Sequence, residues 1–231
     1  SITGQAQNLI KFSMNMVDYF FHEVWYKDYE LHKKVAEEML KKHPDFDVSS
    51  FMEKAKIKLT SPTFIVYGDT DSSYVSLQEL MKVCGIKPQE CADMVLAIYH
   101  NGFSEHLNKC FIMYANQYNC KENLENFELE KIARTVIMEA KKHYVMDISW
   151  KEPDVFVEPL HSVLYKGIEV VKGDTPPYYR ECMKDFINYV LIEYNEGRNL
   201  EYSDIIKKLK EYKTKSILQE PDKICKSISI N

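Results

Sequence analysis

The sequence predicts an α+β fold built on an antiparallel sheet. Three observations carry this reading. Long stretches place apolar residues at helical spacing, short β-rich runs are separated by turn residues, and the two kinds alternate in the order helix, hairpin, helix, strands, helix. With 231 residues, 45% of them hydrophobic and 28% charged, the chain can bury a real core and is not a disordered one. Its length suits one domain with an appendage.

The first element is a helix, with Ile2, Ala6, Leu9, Ile10, Met16, Val17, Phe20 and Val24 recurring as one buried stripe. Because the stripe starts without a lead-in, Ser1 reads as lying near a break in a larger fold. Tyr29 to Lys42 is charged and weakly helical, and His43-Pro44-Asp45 ends it, since proline disfavours helical geometry in the preceding residue. The stretch on to Thr60 reads as a surface excursion. Two β-rich runs, Thr63 to Tyr67 and Ser73 to Leu77, flank Gly68-Asp69-Thr70-Asp71, whose composition is that of a turn. This is a β-hairpin with acids at its tip.

After Pro88, Ala92, Val95, Leu96, Tyr99, Phe103, Leu107, Cys110 and Tyr114 mark a long helix with one buried face, expected to pack on the sheet of the hairpin. Strand-like patterns follow at Phe127 to Ile132, Val136 to Met138 and His143 to Ile148. Beyond Pro176-Pro177 a helix runs from Tyr178 to about Tyr194, with Cys182, Phe186, Ile187, Val190 and Leu191 inward and Gly197 as its stop.

The formal net charge of −5 argues against a chain whose whole surface binds nucleic acid, so a DNA-binding face has to be local. Lys141 with Lys142, and Lys207, Lys208, Lys210, Lys213 and Lys215, are the candidate patches, and each can equally be a solvated face. The six cysteines, Cys84, Cys91, Cys110, Cys120, Cys182 and Cys225, show no zinc-like spacing, which points to reduced thiols and a cytoplasmic compartment. His100, His106 and Cys110 can share a helix face, but no further ligand accompanies them. No run reaches the ~20 apolar residues of a membrane span, and no signal-peptide pattern opens the chain.

The acidic hairpin is the most informative segment. Two carboxylates one residue apart, held in a turn between hydrophobic strands, repel each other unless a cation sits nearby. Magnesium suits such a place, because it takes carboxylate and phosphate oxygens and keeps waters. Plain turn chemistry explains Gly-Asp-x-Asp as well. A calcium loop of the EF-hand type does not, since counting from Asp69 it requires Gly where Tyr74 stands and Glu where Leu80 stands.

Tyr67-Gly68-Asp69-Thr70-Asp71-Ser72 resembles, at every position, the third polymerase motif of family B DNA polymerases. The resemblance implies that Asp71 is a direct ligand of a two-ion Mg2+ site and Asp69 a secondary carboxylate, with Tyr67, Gly68, Thr70 and Ser72 supporting the hairpin. The implied reaction is two-metal nucleotidyl transfer from a dNTP to a primer 3′-OH, with ions about 3.5–4 Å apart. Further segments agree in order. Ala140-Lys141-Lys142-His143-Tyr144 looks like the Lys-Lys-x-Tyr element that contacts the primer terminus from a palm strand, with Lys142 and Tyr144, and Lys141 beside them, as DNA contacts. A lysine and a tyrosine two apart on a strand share a face. Leu129-Glu130-Lys131-Ile132 resembles the strand beside the metal site, so Glu130, or Glu128 on the same face, is an auxiliary carboxylate; exposed glutamates at a sheet edge are the alternative.

The best overall match is to polymerases of the T-even phage type, for which the compartment is the host cytoplasm. On this resemblance residues 1–27 are a helix leading into the palm, 28–60 a surface insertion, 61–172 the palm, and 173–231 a partial, mainly helical thumb. The first acidic motif, the fingers motif and the exonuclease motifs are absent from the sequence. The implied partners are primer-template DNA, dNTP and an N-terminal polymerase chain that carries the missing aspartate and fingers; no membrane is among them. A subunit of a split polymerase is favoured over a fragment of a longer chain. A non-catalytic palm-thumb module gripping duplex DNA, and a different two-metal enzyme such as a nuclease, are the competing functions.

Overall fold

The computed structural model describes residues 2–69, 72–119 and 127–226. The chain forms two compact units, residues 1–130 and 131–231, each containing one principal hairpin. Both units mix helix with antiparallel sheet, in keeping with the α+β expectation.

In the first unit, helix α1 (Ile2–Tyr19) continues through a π turn (Phe20–Val24) and a 3₁₀ turn (Trp25–Lys27). Ile10, Val17 and Phe20 of the expected stripe are buried, with Leu9, Met16 and Val24 half-buried against the core; the side chains of Ile2 and Ala6 lie outside the described residues. Helices α2 (Tyr29–Lys42) and α3 (Val48–Lys54) begin at Asp28 and Asp47, whose carboxylates accept from the backbone N–H of Leu31 and of Ser50, each at 2.9 Å. Such caps satisfy N–H groups that have no partner within the helix.

These two helices correct the expectation of a surface excursion over 28–60. Leu31, Val35, Ala36, Met39, Phe46, Phe51, Ala55 and Leu59 are all buried, and the His32 imidazole with them. Lys33, Lys34, Glu37 and Lys41 point to solvent from the same helix. Charge on one face masked the apolar period on the other.

Strands β1 (Ile65–Gly68) and β2 (Ser73–Val75) pair antiparallel, with Ile65 opposite Val75, Tyr67 opposite Tyr74 and Gly68 opposite Ser73. Helix α4 (Gln78–Cys84) follows and stops at Gly85, whose φ of 71° suits glycine. A 3₁₀ turn (Pro88–Glu90), α5 (Cys91–Ile98), a π turn (Tyr99–Phe103) and α6 (Ser104–Gln117) then make the long helical run the sequence predicted. Its packing differs from expectation. Phe111 lies 6.1 Å from Phe12 and His106 lies 5.1 Å from Phe20, ring to ring, so the run rests on α1, and it is α1 that lies along β1.

The second unit is a four-stranded antiparallel sheet in which β4 (His143–Lys151) is central. It pairs with β3 (Lys131–Ala140) on one side and with β5 (Val155–Phe156) and β6 (Val163–Lys166) on the other. Tyr144 to Trp150 are buried without a break, as befits a strand enclosed by neighbours. Helices α7 (Pro177–Asn195), α8 (Tyr202–Ser216) and α9 (Pro221–Ile224) complete the unit. Proline opens α7, and Gly197 at φ 69° follows its end.

The end of α7 is tied to the sheet by polar atoms. Asp147 on β4, fully buried, accepts from Asn195 Nδ2 at 2.8 Å and from the Leu160 N–H at 3.0 Å, and Thr135 donates to Asn195 Oδ1 at 2.7 Å. Arg134 stands 3.8 Å from Asp147 and donates to the Ile148 carbonyl at 2.9 Å. A buried carboxylate is tolerable only with such partners.

The predicted strand at Phe127 begins later. Residues 127–130 are outside any strand, and pairing starts at Lys131. The Phe127 ring stacks on Phe111 at 5.2 Å, which draws this segment into the helical core of the first unit and away from the ladder. Glu128 and Glu130 therefore do not share a strand face, although both are exposed.

Candidate functional site

The acidic turn is set by the hairpin that carries it. The Asp69 N–H donates to the Ser72 carbonyl at 2.9 Å, closing the turn at its base, and Thr70 and Asp71 lie outside the described residues. The Tyr67 hydroxyl donates to Asp69 Oδ2 at 3.4 Å, and the Tyr67 and Tyr74 rings lie 5.1 Å apart on paired positions. Gly68 has no room for a side chain, because a Cβ there would sit 1.7 Å from the Met14 methyl carbon of α1. The Ser73 hydroxyl is buried and has no hydrogen-bond partner among the described residues.

Helix α1 also grips the strand before the turn. Asp18 accepts from the Phe64 N–H at 2.7 Å and from the Thr63 hydroxyl at 2.8 Å, and the Thr63 hydroxyl in turn accepts from the Ile65 N–H at 3.0 Å. His22 Nε2 lies 2.6 Å from the Ser61 carbonyl, and its ring packs 4.9 Å from Phe64. From the far side Glu79 of α4 accepts from Thr60 N–H, Thr60 hydroxyl and Ser61 N–H, each at 2.8 Å. Those three donors hold its carboxyl below the ordinary range, against the opposing effect of burial, which is the largest single influence. Sequence reasoning missed Met14, Asp18, His22 and Glu79, because nothing local links these side chains to partners that lie 18 or more residues away.

The second candidate is the turn between β3 and β4. Ala140 pairs with His143, so Lys141 and Lys142 form a tight two-residue loop, both exposed. Lys142 has φ 63°, a left-handed conformation that costs a non-glycine residue about 1–2 kcal/mol. The expectation that Lys142 and Tyr144 share a strand face is thereby corrected: Lys142 is in the turn, whereas Tyr144 is on β4 and buried at 6% exposure. Gly167, at φ 65°, presses on this turn, since a Cβ there would lie 2.2 Å from the Lys142 carbonyl oxygen. The β4–β6 register sets Lys166 opposite Tyr144, which brings a third lysine to the same end of the sheet. Lys166 reaches this place through strand pairing, which is not a local signal in the sequence.

The lysines of α8 split between two environments. Lys208 bonds Asp185 of α7 at 2.9 Å and lies over the Tyr189 and Tyr212 rings, whereas Lys207, Lys210 and Lys215 line a shallow groove with Ser203 and Thr214. On α6, Cys110 Sγ is 3.6 Å from His106 Nε2. Burial pushes the Cys110 thiol up and the His106 imidazole down, so both are held neutral as a packed pair.

For a metal ion the chemistry of the donors is suitable but partial. Asp69 offers hard carboxylate oxygens at a strand end, the kind Mg2+ prefers, yet among the described residues no three His, Cys, Asp or Glu side chains are grouped to hold an ion. No helix among the described residues is long and apolar enough to cross a membrane.

A hairpin that presents Asp69 at the end of its first strand and a sheet carrying lysines at one end suit a protein that handles phosphates and nucleic acid, and comparison with known proteins agrees. The family model of DNA polymerase family B matches residues 30–224, most of the chain. The chain belongs to DNA polymerase family B. Membership implies DNA and dNTP as substrates and nucleotidyl transfer as the reaction class, and polymerases of this family generally use Mg2+. No curated protein matches the chain.

Proposed function

We propose that this chain is the C-terminal palm and thumb part of a template-directed DNA polymerase of the T-even phage type, acting in the host cytoplasm, and that it extends a primer only together with an N-terminal portion. The observation that carries the reading is the run Tyr67 to Ser72 on a strand-turn-strand inside a chain of this family. Asp71 is the proposed direct ligand of two Mg2+ ions and Asp69 the secondary one, with Glu130 as an auxiliary carboxylate. When bound, the ions neutralise charge on the phosphates and the attacking 3′ oxygen. The part of the chain itself is positioning. Tyr67 orients the Asp69 carboxylate through its hydroxyl, and Lys141, Lys142 and Tyr144 hold primer-template DNA, the lysines from an exposed turn and Tyr144 from the strand behind it.

In this reading the first acidic motif and the fingers come from an N-terminal portion. The test is reconstitution with the N-terminal portion of a T-even-type polymerase, with Mg2+-dependent primer extension as the readout. Asp71→Ala is expected to lower the rate by at least about a thousandfold, the loss that follows when a principal charge-stabilising group is removed. Extension that survives this substitution would sink the assignment. Metal-dependent cleavage by the chain alone would favour a nuclease, and salt-sensitive duplex binding without extension under any pairing would favour a binding module.

A further inference from the structure

Three side chains on successive turns of one helical face, Met14, Asp18 and His22, touch the segment 61–68 in reverse order. His22 meets Ser61 and Phe64, Asp18 meets Thr63 and Phe64, and Met14 meets Gly68. The helix and β1 therefore run antiparallel, with a contact at each end of the strand. Among these contacts the carboxylate of Asp18 is the one that binds the backbone where β1 begins. Both its oxygens are engaged, one on the N–H of Phe64 and one on the hydroxyl that holds the N–H of Ile65, the first residue of β1. Phe64 is almost fully buried, so water is a poor substitute for that acceptor.

We infer that Asp18 is a positioning residue for the acidic turn: it fixes where β1 enters the hairpin, while Met14 against Gly68 fixes where β1 leaves it, so that Asp69, the next residue, is presented at one height. The strand is only four residues long and its sheet has two strands, which is too little pairing to hold the turn unaided. Helix α1 lies before residue 30, outside the segment that the family model matches. The inference rests on the metal reading of Asp69 and Asp71 given above, and its test separates the two.

The experiment is a Tb3+ titration of the chain, read as luminescence sensitised by Tyr67 and Tyr74, with Asp69→Ala and Asp71→Ala defining the part of the signal that belongs to the turn. Asp18→Ala is expected to weaken that binding about tenfold, the equivalent of losing one hydrogen bond to a charged group. Asp18→Asn, which can still accept from the Phe64 N–H, is expected to recover most of the loss. Asp28→Ala removes a comparable carboxylate bond, the α2 cap to Leu31, and is expected to leave Tb3+ affinity unchanged even though it lowers stability. Wild-type affinity in Asp18→Ala, or an equal loss in Asp28→Ala, would overturn the positioning role alone. A signal indifferent to both Asp69→Ala and Asp71→Ala would overturn the metal reading and this inference with it.

Discussion

The two hairpins solve the same problem by different means. The acidic hairpin has strands of four and three residues, and it is held from outside, by side chains of α1 and α4. The basic hairpin has strands of ten and nine residues and a tight turn, and it is held from within, by its own ladder and by the backbone of Gly167. A short ladder lets a turn be placed by its surroundings, and a long one places its turn directly. The acidic turn should therefore be sensitive to substitutions far away in sequence, and the basic turn to changes in its immediate backbone.

The same substitution at two glycines tests this difference. At Gly167 an added methyl meets the Lys142 carbonyl in a left-handed backbone, so neither partner can yield, and Gly167→Ala is expected to cost about 2 kcal/mol or more. At Gly68 it meets the end of the flexible Met14 side chain, with no positive φ involved, and Gly68→Ala is expected to cost less than about 1.5 kcal/mol. Urea unfolding gives both values, with 19F-labelled tryptophan reporting each unit separately, since Trp25 lies in the first unit and Trp150 in the second. Shortening Met14 to Ala should relieve Gly68→Ala and leave Gly167→Ala untouched. Equal costs at the two glycines would erase the contrast between an external and an internal support.

Lys142 allows conformation to be separated from charge at the basic turn. Because a non-glycine residue at φ 63° is strained, Lys142→Gly is expected to stabilise the second unit by about 1 kcal/mol while weakening duplex DNA binding. Lys142→Ala keeps the strain and loses the charge, so it should weaken binding without the gain. Binding isotherms at two salt concentrations decide the matter. If Lys142→Gly binds duplex as tightly as the native chain, the lysine is a turn residue and nothing more.

What the sequence disclosed follows the range of the interactions concerned. The acidic hairpin, the long helical run after Pro88 and the helix after Pro177 were legible because turn composition and apolar period are local signals, and the order of elements was enough for the α+β class. The segment 28–60 was misjudged because its charged residues outnumber its apolar ones and hide a regular buried face. Alternation and the resemblance of Leu129 to Ile132 set Glu128 and Glu130 on a strand, although Phe127 draws that stretch onto Phe111. The left-handed Lys142 was invisible because lysine gives no hint of positive φ, and the glycine that leaves room for its carbonyl, Gly167, follows another strand. Asp18, Asp147 and Asn195 have partners tens of residues away, and a single sequence does not mark such pairs.

The frames of the two hairpins also differ in chemistry, and pH should reveal it. The second unit encloses a carboxylate, Asp147, with its hydrogen-bond donors, while the first encloses an imidazole, His32, among Trp25 and Phe51. His32 Nε2 lies 2.7 Å from the Trp25 carbonyl, and Nδ1 is buried with no partner among the described residues. Burial holds the His32 pKa below its ordinary value of 6.5, outweighing the Trp25 carbonyl, which acts in the opposite direction. The folded state thus keeps the ring neutral while the unfolded chain takes up a proton near 6.5. This contribution is complete above that value and is lost as pH falls from there toward the lowered pKa of the fold. His106, also lowered by burial, adds a slope of the same sign to native and variant alike. His32→Gln, which keeps a donor for the Trp25 carbonyl and cannot titrate, is therefore expected to flatten the fall in stability of the first unit between about pH 6.5 and pH 5.5, read from the Trp25 fluorine resonance in urea. Parallel pH profiles for the native chain and His32→Gln would mean that the imidazole is not held neutral.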